Sequence, residues 1–157
     1  MKTMISLRKI TSENCEAICK LNADNRFVAT NTESLVEAYA YYSEHGFGPI
    51  AYGIYSGDTP VGFIMAEYNN SPEENDGMPY YYLWRMMIDN DHQRKGYGKA
   101  ALDLMVKELR TCPQGKAEKF FTSYVPGEDG PMEFYEKYGF THTGKMVEDE
   151  VEMVFDL

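Results

Sequence analysis

The chain has 157 residues, 43% of them hydrophobic and 25% charged, which fits one globular domain able to bury a core of its own. Its net charge of −10 at pH 7 argues against nucleic acid as a partner, because phosphate binding needs a basic face, and mildly favours a cationic ligand. No apolar run is long enough to cross a bilayer and MKTMISLRKI lacks a signal-peptide core, so a cytoplasmic location with no membrane partner is expected. Cys15, Cys19 and Cys112 are odd in number and the first two stand one helical turn apart, which reads as buried thiols, with a metal pair a distant second.

Ile5 to Ile10 predicts a first strand, and Thr11 or Ser12 can cap a helix with Cys15, Ile18 and Cys19 on one face. Asn22 to Thr30 is polar and irregular. Asn31 reads as the N-cap of a second helix, with Leu35, Ala38, Tyr39 and Tyr42 on one stripe and Gly46 with Pro49 closing it. Ile50–Tyr55 and Val61–Tyr68 are strands of a hairpin turned at Ser56-Gly57-Asp58-Thr59-Pro60, and Asn69–Pro79 is a loop by composition.

Tyr80–Ile88 is aromatic and apolar apart from Arg85, the pattern of a largely buried strand. Asp89–Gly98 is a polar turn, and Leu102, Met105, Val106 and Leu109 then recur at helical spacing. After Pro113-Gln114-Gly115 comes a buried strand, Lys119–Val125, and a turn, Gly127–Gly130. Pro131 fits the first position of a short helix with Gly139 just past its end, and strands at Phe140–Thr143 and Val151–Phe155 finish the chain. No repeat or linker interrupts it, so residues 1–157 read as one domain.

A strand that passes through a glycine turn into a helix presents free backbone N–H groups and the positive end of the helix dipole, a natural anion site. The turn here is Gln93-Arg94-Lys95-Gly96-Tyr97-Gly98, or Q-x-x-G-x-G, with Lys99 at its edge. It is not a P-loop, since Ala100 follows Lys99 where a Mg²⁺-binding hydroxyl belongs, and Ala101 breaks the Rossmann spacing. It resembles the coenzyme A pyrophosphate loop of the GNAT N-acetyltransferase superfamily. Phe134-Tyr135-Glu136-Lys137-Tyr138-Gly139-Phe140 resembles that family's Y-x-x-x-G-F signature.

The resemblance implies an α/β GNAT fold: a mixed, mostly antiparallel sheet whose fourth and fifth strands are parallel and splayed, with about four helices. It implies acetyl-CoA as cosubstrate, no metal, and a small-molecule amine as acceptor; a homodimer is left open. It assigns the backbone of Arg94, Lys95, Gly96, Tyr97, Gly98 and Lys99 to the pyrophosphate, with Gln93 at the loop's start and the charges of Lys95 and Lys99 in support. It assigns a main-chain N–H of Met87 or Ile88 to the thioester oxygen and Tyr135 to protonating the departing thiolate. The general base stays open between Glu67, Asp89 and water.

Acceptor choice in the family falls to the loop between the first two helices and to side chains on the central strands. Here these are residues 25–34 with Asn31, then Tyr39, Tyr42, Glu67, Trp84 and Arg85. Arg85-Met86-Met87-Ile88-Asp89 is similar to a stretch of bacterial spermine/spermidine acetyltransferases, although Trp84 stands where those enzymes tend to carry an acidic residue. Pro126–Pro131 lacks the asparagine that many members place before the tyrosine helix. A polyamine is the leading acceptor, followed by an aminoglycoside or an amino-acid amine. A module that binds acyl-CoA without turnover is the rival from another class.

Overall fold

The structure, a computed structural model, describes residues 4–23 and 29–157. In chain order its elements are β1 (Ile5–Lys9), α1 (Cys15–Cys19), α2 (Asn31–His45), β2 (Ile50–Ser56), β3 (Thr59–Asn69), β4 (Tyr80–Ile88), α3 (Tyr97–Leu109), β5 (Lys119–Tyr124), α4 (Met132–Tyr138), β6 (Thr141–Val147) and β7 (Glu150–Asp156). The strands form one sheet of seven in the order β1-β2-β3-β4-β5-β7-β6. β1 with β2, β2 with β3, β5 with β7 and β6 with β7 are antiparallel, while β4 and β5 are parallel. This is the expected GNAT fold, an α/β architecture with a mixed, mostly antiparallel sheet. The β4–β5 ladder is registered only at Tyr81↔Phe120 and Tyr82↔Phe121.

By internal packing the chain divides into two compact units: residues up to Glu67 together with Trp84–Lys107, and Tyr68–Leu83 together with Glu108–Leu157. In the first unit, Ile18, Tyr55, Phe63, Met65 and Met87 form a buried cluster, with Leu35, Ala38 and Trp84 packed against it. The helical spacing of α3 buries Leu102, Met105 and Val106 as read from the sequence, and Ala101 with them. β2 and β3 turn tightly because Gly57 adopts φ +59. In the second unit the core is aromatic: Phe140 meets Tyr135 and Phe155 at ring-centroid distances of 5.4 Å each. Tyr81 adds a polar anchor, its hydroxyl donating to Gly115 O at 2.8 Å.

Three helical readings need correction. α2 is capped by Thr30, not Asn31: Thr30 Oγ1 accepts from Glu33 N at 3.1 Å while Thr30 N donates to Glu33 Oε2 at 3.0 Å. This reciprocal box satisfies two groups at once, which a lone Asn31 cap cannot. The buried face of α2 then carries Asn31 and Ser34, with Leu35 and Ala38 beside them, whereas Tyr39 and Tyr42 are 73% and 55% exposed. α1 is preceded by Asn14 rather than Thr11 or Ser12, since Thr11 O accepts from Asn14 N and Cys15 N to form the turn that starts it. The thiols also differ from expectation: Cys15 and Cys19 are only half-buried and Cys112 is exposed.

β3 and β4 approach closely at Gly62, where a Cβ would sit 2.4 Å from Met87 O and 3.0 Å from Ile88 Cδ1. A carbonyl cannot rotate away as a flexible side chain can. Gly62→Ala is therefore expected to destabilise the protein by about 1–3 kcal/mol in urea unfolding, as other overpacked sites do. An unchanged midpoint would contradict this close approach.

Candidate functional site

The turn after β4 is built by Asp89. Its carboxylate accepts from Asn22 N at 2.9 Å and from Asp91 N at 3.3 Å, which commits it to holding the loop. Gln93 folds back and donates from Nε2 to Ile88 O at 3.0 Å. Arg94 (φ +62) and Gly96 (φ +78) then take left-handed backbone angles. At Gly96 nothing lies within 4 Å of where a Cβ would be, so the main chain is open on that side.

The first intrahelical bond at this end of α3 runs from Ala100 N to Gly96 O, at 3.2 Å. The N–H groups of Tyr97, Gly98 and Lys99 therefore have no carbonyl one turn back, and they carry the positive end of a 13-residue helix. Arg94 and Lys95 are exposed, with no ion-pair partner among the described residues. Lys99 is instead paired with Asp103 at 2.9 Å, an exposed i,i+4 contact of small energy. The Tyr97 hydroxyl accepts from Ser56 Oγ at 3.3 Å, so its ring is held against the β2–β3 hairpin.

The end of β4 carries the two candidate oxyanion donors, Met87 and Ile88. Asp89 N donates to Val61 O at 2.8 Å, and Met87 O closely approaches Gly62, so β4 stays close to β3 up to its end. Trp84 and Met87, three residues apart, both lie against the same buried cluster, so strict two-residue alternation does not run through this end of β4.

The acceptor-side residues separate. Asn31 is 2% exposed and donates from Nδ2 to Ile18 O at 2.8 Å and to Met87 Sδ at 3.7 Å, a structural tie between α1, α2 and β4. Tyr39 faces solvent. Trp84 packs against the buried cluster, with its ring 6.1 Å from that of Tyr41. Arg85 is held by Glu37 at 3.0 Å and by Trp84 O at 2.9 Å. Glu67 is half-buried on β3. Residues 25–28 of the proposed acceptor loop lie outside the described residues.

In the second unit, Tyr135 projects from α4 into the aromatic core, edge-on to Phe134 and Phe140. Burial pushes its phenol up to about 12, against a smaller downward effect of its hydrogen bond with Thr122, and Tyr82 and Glu150 raise it slightly further. The hydroxyl thus stays protonated across the neutral range and serves as a donor. Near it lies a polar group absent from the sequence reading: Ser123 Oγ donates to Glu150 Oε2 at 2.6 Å and is hydrogen-bonded to the Tyr82 hydroxyl. The one signal for it was Thr122-Ser123, two hydroxyls inside the otherwise aromatic run KFFTSY. Among the described residues no group of three or more His, Cys, Asp or Glu side chains could hold a metal, and no helix is long and apolar enough to cross a membrane.

The profile of the acetyltransferase (GNAT) family matches residues 15–140. Among solved structures, the chain is similar to an acetyltransferase from Thermus thermophilus, with 17% identity, 100% of both chains covered and a TM-score of 0.68. It is similar to Arabidopsis thaliana Naa50 in complex with the bisubstrate analogue CoA-Ac-MVNAL, with 19% identity over 98% of this chain and 97% of that one and a TM-score of 0.63. It is similar also to the Bacillus subtilis N-acetyltransferase YlbP in complex with coenzyme A, with 18% identity over 99% and 97% and a TM-score of 0.61. At such identities the likeness is one of fold. No curated protein sequence matches the chain. The family match covers most of the sequence, so the chain belongs to the GNAT acetyltransferases and is an acyltransferase that uses acetyl-CoA.

The Tyr135 phenol also fixes a pH response. Its folded pKa of about 12 lies above the ordinary value, so the neutral form is favoured by folding. That contribution is complete below about pH 10, where the unfolded phenol titrates, and is lost as pH rises toward the folded value. The urea midpoint of the wild type should fall between pH 10 and 12 more steeply than that of Tyr135→Phe. Parallel declines would contradict the burial of this hydroxyl.

Proposed function

We propose that this GNAT acetyltransferase moves an acetyl group from acetyl-CoA to a primary amine of a small polycation, a polyamine such as spermidine or spermine, with both substrates bound together. Residues 1–157 act in this reading as one catalytic domain. The observation that carries it is the start of α3, where three N–H groups without helical partners, the open side of Gly96 and the cations Arg94 and Lys95, without an ion-pair partner among the described residues, converge on one turn. A diphosphate suits that turn, since its oxygens accept several main-chain bonds and its charge meets the helix dipole.

Three further residues take roles. A main-chain N–H at the end of β4, that of Met87 or Ile88, steadies the thioester oxygen as it gains negative charge; donors of this kind contribute about 3–4 kcal/mol where they have been removed in other enzymes. Gln93 fixes the turn that follows through Ile88 O. Tyr135 meets the departing sulfur. A phenol near 12 is a weaker acid than an alkyl thiol near 8.5, so its work is to donate a hydrogen bond and release the proton only as the C–S bond breaks.

The polycation is supported by charge. The chain carries 25 acidic against 15 basic residues, and Arg85, the cation on β4, is already countered by Glu37. Trp84 and Tyr41 add aromatic faces in the same unit, suited to the aliphatic stem or ammonium of an amine.

Release of CoA thiol should be measured with acetyl-CoA against spermidine, spermine, an aminoglycoside, free amino acids and a short peptide with a free N-terminus. Turnover is expected to be fastest with the polyamines. Tyr135→Phe should lower kcat by at least about tenfold with acetyl-CoA affinity kept. Binding of acetyl-CoA without thiol release for any amine would favour a non-catalytic acyl-CoA-binding module, and an unchanged kcat would remove Tyr135 from the chemistry.

A further inference from the structure

We propose that Tyr82, Ser123 and Glu150 form the route by which the attacking nitrogen loses its proton, with Tyr82 meeting the amine and Glu150 receiving the proton at the far end. This rests on the acetyl-transfer reading above and fills the place it leaves empty, that of the general base. Asp89, one carboxylate considered for that place, is occupied with the N–H groups of Asn22 and Asp91.

The three side chains come from β4, β5 and the first residue of β7, and all are half-buried. Hydrogen-bond direction in the chain follows from donor counting. An ionised carboxylate only accepts, so the single Ser123 proton goes to Glu150 Oε2, at 2.6 Å. The Tyr82 hydroxyl must then be the donor in its bond to Ser123 Oγ. A phenol oxygen whose proton is committed in this way keeps acceptor capacity, and it is the entrance of the route.

β5 also separates this route from the acid. Thr122 and Ser123 are successive strand residues and project to opposite faces. The Thr122 hydroxyl is bonded to Tyr135 and donates to Leu83 O at 3.4 Å, while the Ser123 hydroxyl serves Tyr82 and Glu150. One face of the strand thus holds the donor for sulfur and the other holds a sink for the nitrogen's proton. Acyl transfer needs that division, because the proton lost by the nucleophile and the proton gained by the leaving group sit on different atoms of the same tetrahedral centre.

The step balances as follows. As the neutral amine bonds to the acyl carbon, its nitrogen becomes positive and acidic. Its proton passes to the Tyr82 oxygen, the Tyr82 proton to Ser123 Oγ, and the Ser123 proton to Glu150, which becomes a neutral carboxylic acid. The C–S bond breaks with its electron pair on sulfur, and the thiolate takes the Tyr135 proton. Solvent then removes the proton from Glu150 and restores one to Tyr135, leaving amide and free CoA thiol. The two ends assist each other, since Tyr82 and Glu150 are among the groups that hold the Tyr135 pKa up, and a protonated Glu150 no longer does so.

The test is Glu150→Gln, which preserves an acceptor oxygen for Ser123 but cannot take a proton. With the best amine from the panel, kcat at pH 7 should fall by about a hundredfold while acetyl-CoA affinity and melting temperature hold. The variant's kcat should climb steadily with pH as hydroxide replaces the missing base, and Glu150→Asp should recover part of the wild-type rate. Tyr82→Phe should show the same loss, and the double variant should be no slower than the slower single one, because both interrupt a single route. Tyr82→Phe carries the test if Glu150→Gln does not fold. Wild-type kcat and pH profile in a folded Glu150→Gln or Tyr82→Phe enzyme, or losses that multiply in the double variant, would overturn the route and leave the acetyl-transfer reading standing. A wild type that turns over no amine at all would instead defeat that reading, and this proposal with it.

Discussion

The constraint on which the rest depends is an unfinished helix. An α-helix leaves its first N–H groups without partners, and most helices satisfy them with a side-chain cap, as Thr30 and Glu33 do for α2. At the start of α3 the chain does the reverse. Gly96 has no side chain to lend, its left-handed backbone turns the main chain outward, and the space beside it is open. Among the described residues the neighbouring cations Arg94 and Lys95 have no ion-pair partner, whereas Lys99, within the first turn of the helix, has Asp103. Such an arrangement costs stability in the absence of an anion, and it is consistent with a fold arranged to receive one.

The second unit solves a different problem, that of keeping hydroxyls inside an aromatic core. Tyr135, Thr122, Tyr82 and Ser123 are all buried or half-buried, and each has a hydrogen-bond partner, so none bears the cost of a lone polar group. Burial raises the Tyr135 phenol and thereby fixes its protonation state, while Ser123 keeps the Glu150 carboxylate at one end of a hydrogen-bonded chain. Packing and chemistry are joined here, because the aromatic rings that exclude water are also what make the protonation states predictable.

Local signals in the sequence sufficed for much of the fold. β4, the glycine turn and α3 are continuous in the chain, so strand composition, turn chemistry and helical period could be read within thirty or so residues. The family match and the sheet order agree with that reading. The second helix was misjudged because its face is ambiguous: Tyr39 and Tyr42 fit a stripe by spacing, yet Asn31 and Ser34 are the buried positions, and Asn31 is held inward by its hydrogen bond to Ile18 O. Tertiary partners of that kind have no local signature. The same holds for Glu150, which lies 27 residues from Ser123 and meets it only through the register of β7 on β5.

The central claim is that main-chain amides at the start of α3 hold the cofactor's diphosphate. The direct measurement is the amide resonances of ¹⁵N-labelled protein titrated with coenzyme A. The account predicts that the Tyr97, Gly98 and Lys99 amides shift downfield in step with binding, as newly hydrogen-bonded N–H groups do. Saturable binding that leaves those three signals unmoved would contradict it.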